Sequence, residues 1–160
     1  MPSFSEHINQ AKRNIEFLKL TNQQNNSFWD WQVTICFYVG VHLVNAHIAQ
    51  KANMHYRKHN EVNEAINPYN LLSRCRFPED IFLSYSKLQN LSRRSRYLIN
   101  EDLSNSNPIA HFTHDKHFAK SIRHLENLMN FMRTNYSVNF DRIKIDCIEF
   151  HPTNSNYFFK

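Results

Sequence analysis

The stretch Ser27–Ala52, reading SFWDWQVTICFYVGVHLVNAHIAQKA, decides the fold. Wound as a helix it carries apolar residues on nearly every face, and a helix apolar all round has to be enclosed by others. Its longest apolar run, Val39–Ile48, is interrupted by His42, Asn45 and His47, so it falls short of the roughly 18–20 residues of a membrane span. The expectation is therefore the central helix of a bundle, with Ser27 as its N-cap and Asp30 in its first turn.

Working outward, the N-terminal segment opens with Ser3 and Glu6 at capping-box spacing and continues with Ile8, Ala11, Ile15 and Leu18 on one face until an Asn/Gln-rich break at 22–26. Beyond the central helix, a polar loop at 53–58 precedes a short helix over about 60–66. Pro78, followed by Glu79 and Asp80, opens a helix over about 79–99 with Ile81, Tyr85, Leu88, Ser92, Ser95 and Ile99 facing inward. After a loop at 104–108, Thr113 is expected to cap a last long helix, whose inner stripe is Phe118, Ile122, Leu125, Met129, Met132 and Tyr136. From 142 to 150 the period changes to two, which predicts a short strand lying along the bundle or pairing with another copy. The fold class read from this pattern is all-α, an antiparallel up-and-down bundle of four to five helices. Residues 1–138 form the bundle, and residues 139–160 form a short extended C-terminal segment packing on the bundle or on a partner.

Composition agrees. With 160 residues, 41% of them apolar, one core and one domain suffice, and a single glycine with five prolines leaves few of the tight turns that hairpins require. Three cysteines, Cys36, Cys75 and Cys147, stand at unrelated spacings and read as reduced thiols, with Cys36 in the core. The N-terminus lacks a basic-then-apolar signal pattern, so the expected location is the cytoplasm, with no membrane association.

The net charge of +5 is unevenly spread. Residues 57–96 hold eight Lys/Arg, namely Arg57, Lys58, Arg74, Arg76, Lys87, Arg93, Arg94 and Arg96, against Glu61, Glu64, Glu79 and Asp80. Such clustering suits a polyanion such as RNA, and it equally describes a solvated basic face. His114 and His117 stand one turn apart, but two ligands do not complete a metal site, and no metal or cofactor is expected. Gly40, the single glycine, cannot form a phosphate-cradling loop.

Asp30-Trp31, Phe37-Tyr38, His42 and Ala46, then His59, and finally Tyr85-x2-Leu88-x3-Ser92-x3-Arg96-Tyr97 together resemble the HEPN superfamily in its small stand-alone prokaryotic form, over about residues 28–98. The resemblance implies a helical bundle, commonly a homodimer, of the kind found in RNA-cutting toxins, antiviral defence systems and non-catalytic RNA-binding proteins. Active members cut RNA without a metal, using an arginine followed four to six residues later by a histidine. No arginine here has a histidine at that spacing.

A substitute site is expected from His42, His59 and Arg96, because a histidine titrates near neutral pH and an arginine stabilises phosphorane charge. Nucleic-acid binding is expected from Arg57, Lys58, Arg93, Arg94 and Arg96. Plainer roles exist for the same residues: His42 as a core histidine bonded to Tyr38 or Asp30, Arg96 paired with Glu101 or Asp102, and His59 at the start of the short helix. The sequence thus leaves two functions open. One is an RNA-binding protein, with a divergent metal-independent ribonuclease of a toxin or defence type as its catalytic form. The other is a non-catalytic antitoxin-like or regulatory module whose aromatic tail, Tyr157-Phe158-Phe159, docks on a protein partner.

Overall fold

Residues 1–24, 27–98, 112–153 and 155–160 are described in a computed structural model, as five helices and two short strands: α1 (Phe4–Gln24), α2 (Trp29–Ala52), α3 (His59–Ile66), α4 (Glu79–Tyr97), α5 (Asp115–Tyr136), β1 (Ile143–Lys144) and β2 (Phe158–Phe159). The helix over 79–99 stops at Tyr97, with Leu98 in the left-handed conformation, and Ile99 lies outside the described residues.

Cross-helix contacts fix the directions. His7 meets His42 and Asn22 meets Gln32, so α1 runs antiparallel to α2. Ser84 meets Asn127 and Ser95 meets Thr113, so α4 and α5 are antiparallel. Trp29 lies on Phe118 and His47 on Tyr136, so α2 and α5 run the same way. The result is an up-and-down bundle in which α2 touches α1, α3, α4 and α5. By length and hydropathy α2 alone among the described helices could cross a membrane, and most of that stretch is buried within the bundle.

The single glycine sits where α2 is approached from two sides. A Cβ on Gly40 would lie 3.2 Å from a Leu88 methyl and 3.3 Å from a Leu128 methyl, so α4 and α5 close on α2 where no side chain intervenes. Phe37 and Tyr85, their rings 5.9 Å apart, fill the neighbouring space, fully buried. Each such ring contributes about 1.5–3 kcal/mol by leaving water.

Helix ends differ from the sequence reading in two places. α2 begins at Trp29, and the Ser27 carbonyl rather than its hydroxyl bonds the Trp29 N–H. α5 is capped by His114, not Thr113: the His114 and His117 side chains each bond the other's backbone N–H in a reciprocal box, while the Thr113 hydroxyl donates to Ser95 Oγ at 2.9 Å. The two histidines considered for an ion are thus occupied as caps. Ser3 and Glu6 form the expected box on α1, with the Ser3 N–H donating to Glu6 Oε2 at 2.7 Å.

The C-terminal segment packs on its own bundle. Ile143, Ile145 and Cys147 point inward and Lys144 and Asp146 outward, the alternation that the period of two demands. Regular strand covers only 143–144, pairing in parallel with 158–159 of the same chain. Two buried polar groups staple this tail. Asn22 on α1 accepts the Asp146 N–H at 2.7 Å and donates to its carbonyl at 3.0 Å, mimicking a strand partner. Glu126 on α5 accepts from the Ser155 hydroxyl and the Asn156 N–H. Tyr157 and Phe158 are buried and only Phe159 is partly open, so the aromatic end expected to dock on a partner is spent inside the molecule.

Candidate nucleic-acid interface

His59 is the first residue of α3, and its ring lies 5.3 Å from that of Phe37 on α2. One turn further, Asn63 donates to Gln89 on α4 at 2.9 Å. With α3 and α4 side by side there, Gln89, Arg93 and Arg96 recur at helical spacing along the flank that borders α3. His59 and Arg96 accordingly interact: burial holds the imidazole below its usual pKa, and the positive Arg96 lowers it further. His59 is thus a neutral ring beside a fixed cation.

Arg96 is exposed. Its Nε reaches the Ser92 carbonyl at 3.4 Å, and its guanidinium lies 5.2 Å from the centre of the Tyr97 ring. Among the described residues no carboxylate pairs with it; Glu101 and Asp102, the partners expected from sequence, lie outside those residues. Arg93 is exposed too, whereas Arg94 turns partly inward with its Nε buried and without a partner, so the triplet of arginines splits between two faces. Arg57 and Lys58 are exposed just ahead of α3, and Lys58 makes a loose surface pair with Glu61 at 3.8 Å.

His42 belongs to a different cluster. Its Nδ1 lies 3.2 Å from His7 Nδ1, and His7 Nε2 lies 3.2 Å from His55 Nδ1. The bond expected to Tyr38 or Asp30 is replaced by this one, because α1 brings His7 alongside. The three rings form a chain, with His7 offering opposite edges to its neighbours, rather than a set of nitrogens converging on one point. Among the described residues no group of three or more His, Cys, Asp or Glu is placed to hold a metal ion. Burial and the adjoining histidines push His7 down to about 4. His42 is lowered by burial and by His55.

Arg96 shares a small recess with Asp30, Trp31, Thr34 and Ser95. His42 stands eight to eleven residues along α2 from Thr34 and Trp31, about 12–16 Å at helical rise. The three candidate catalytic residues therefore divide into a His59–Arg96 pair and a His42 that turns to His7 on α1 instead.

Two features of this face went unread in the sequence. Trp31 is 61% and Tyr38 41% exposed on an otherwise buried helix. Between α1 and α2 they border a groove of about 360 Å³. The legible signal was the spacing Trp31, Tyr38, His42, a stripe of ring residues with polar atoms set in an apolar helix.

Comparison with known protein families, with curated proteins and with solved structures finds no match for the chain.

Proposed function

We propose that this chain is a cytoplasmic RNA-binding protein, HEPN-like and homodimeric, whose contact surface is the face bearing Arg57, Lys58, Arg93, Arg96 and His59. The observation that carries this reading is Arg96: an exposed guanidinium in no ion pair among the described residues, beside the neutral His59 and the exposed ring of Trp31, with Asp30 in the same recess. Guanidinium and ammonium groups neutralise backbone phosphates, which supply most of the affinity and make it depend on salt.

Retardation of a labelled RNA by the purified protein, titrated at several salt concentrations, tests the proposal. Affinity is expected to fall by ten-fold or more between about 50 and 200 mM salt, and Arg93→Ala with Arg96→Ala is expected to weaken binding and flatten the slope. Unchanged affinity across that range refutes the reading. Proton transfer is favoured as a second reading by the His59–Arg96 pair alone, since a neutral imidazole can take the ribose hydroxyl proton while arginine stabilises the phosphorane. That reading requires RNA cleavage that survives EDTA and disappears in His59→Ala. The tail supports no docking reading, because its aromatic side chains are mostly spent on the bundle.

A further inference from the structure

Resting on the RNA-binding reading, we propose that the groove between α1 and α2 is a pocket for unpaired bases, so that the protein takes single-stranded rather than duplex RNA. Trp31 and Thr34 line both this groove and the recess holding Arg96. A phosphate held by Arg96 therefore leaves its own base against the Trp31 ring. Tyr38 lies two helical turns further on, about 10 Å. Bases in an intact stack are only about 3.4 Å apart, so rings at this separation take bases that have come out of the stack, which a duplex does not present.

The groove also carries a polar edge. Gln10 and Asn14, one turn apart on α1, are joined by a hydrogen bond from Gln10 Nε2 to Asn14 Oδ1 at 3.0 Å. That bond fixes both amides and leaves the Gln10 Oε1 acceptor beside the Asn14 Nδ2 donor, both in the groove wall. An acceptor next to a donor complements the edge of a nucleobase, and Phe17 closes the end with an apolar surface. Flat rings that any base can stack on, a hydrogen-bonding edge and an adjacent cation make a site for a nucleotide with its base free.

A second groove, of about 400 Å³, lies on the far side of Phe17 toward Phe140. It lacks this character, since Lys12 and Arg13 there are balanced by Glu16 and Asp141.

The experiment compares a single-stranded oligoribonucleotide, a duplex of the same length and an abasic phosphodiester strand at one salt concentration. The protein has two tryptophans, and Trp29 is packed on Phe118, so a Trp29→Phe variant reports on Trp31 by fluorescence. The single strand is expected to quench Trp31 and to bind about tenfold tighter than the duplex or the abasic strand. Trp31→Ala or Tyr38→Ala is expected to remove about tenfold from single-strand binding while leaving duplex binding unchanged. Equal binding of single strand, duplex and abasic strand, indifferent to both substitutions, overturns the base pocket while the phosphate-binding reading stands. Binding to none of the three overturns both.

Discussion

Acidification from pH 7.5 to 4.5 is expected to strip this fold of much of its stability through two histidines held uncharged inside it. His47 is 2% exposed and fully bonded: the Cys75 carbonyl accepts from Nε2 at 3.0 Å and the Tyr136 hydroxyl lies 2.7 Å from Nδ1. A carbonyl can only accept, so Nε2 carries the hydrogen and Nδ1 is the bare nitrogen of a neutral ring. Burial pushes His47 down to about 4, and burial with the neighbouring His42 and His55 does the same to His7, against an ordinary 6.5.

A folded-state pKa below the unfolded one means that the unfolded chain takes up the proton first. Stability is thus whole above about pH 6.5, falls as pH drops toward 4, and levels off below. At pH 4.5 each histidine removes about 2–3 kcal/mol by proton linkage. The pair removes about 5 kcal/mol, comparable with the whole stability of many small domains. Urea denaturation at half-unit steps of pH reads this as a fall of about 2–3 M in midpoint. His47→Gln isolates its share by roughly halving the pH dependence. A wild-type midpoint at pH 4.5 within about 0.5 M of that at pH 7.5 refutes the reasoning.

The tail and the glycine give sharper local tests. Asn22→Ala removes the polar staple under Asp146 and is expected to cost about 2 kcal/mol in denaturant unfolding, because it deletes the hydrogen bonds to the Asp146 N–H and carbonyl and to the Gln32 side chain; a loss under about 0.5 kcal/mol would show the staple to be idle. Gly40→Ile is expected to cost about 3 kcal/mol or more, since its branched side chain meets Leu88 and Leu128 methyls already 3.2–3.3 Å from a bare Cβ. Gly40→Ala is expected within about 1 kcal/mol of wild type, as gained helix propensity offsets a contact that two mobile methyl groups can relieve; melting curves of the two variants that coincide would refute the close approach.

Much of the fold was legible because burial imposes a period. Of the inner faces read for α4 and α5, Ile81, Tyr85, Leu88, Ser92 and Ser95, then Phe118, Ile122, Leu125, Met129 and Met132, are buried, while Tyr136 is half-buried and Ile99 lies outside the described residues. The ends were harder to read, because capping is a competition among neighbours that periodicity does not decide. Thr113 lost the α5 cap to His114, and its hydroxyl turned to Ser95. The tail's partner was illegible for a related reason. Alternation says which side chains turn inward but not against what, and the Asn22–Asp146 contact joins residues 124 positions apart.

The candidate site divides along the same line. Residue type gave His42, His59 and Arg96 as a set, but position on α2 separates them. The recess of Arg96 opens at Trp31 and Thr34, eight to eleven residues or about 12–16 Å along α2 from His42, too far for both to act on one phosphate. His42 was therefore bound to serve whatever α1 brought to its level, and α1 brings His7, which binds a third histidine, His55, in turn. His59 reaches Arg96 by another route, because the loop at 53–58 leads into α3, which packs on α2 and meets α4 through Asn63 and Gln89. If cleavage chemistry exists within one chain, it rests on His59 and Arg96 without His42. His42 lines the groove but lies away from Arg96, so His42→Ala should leave the salt slope of RNA binding, and any cleavage, unchanged while weakening the α1–α2 contact. A flattened salt slope or a loss of cleavage equal to that of Arg96→Ala would overturn the separation.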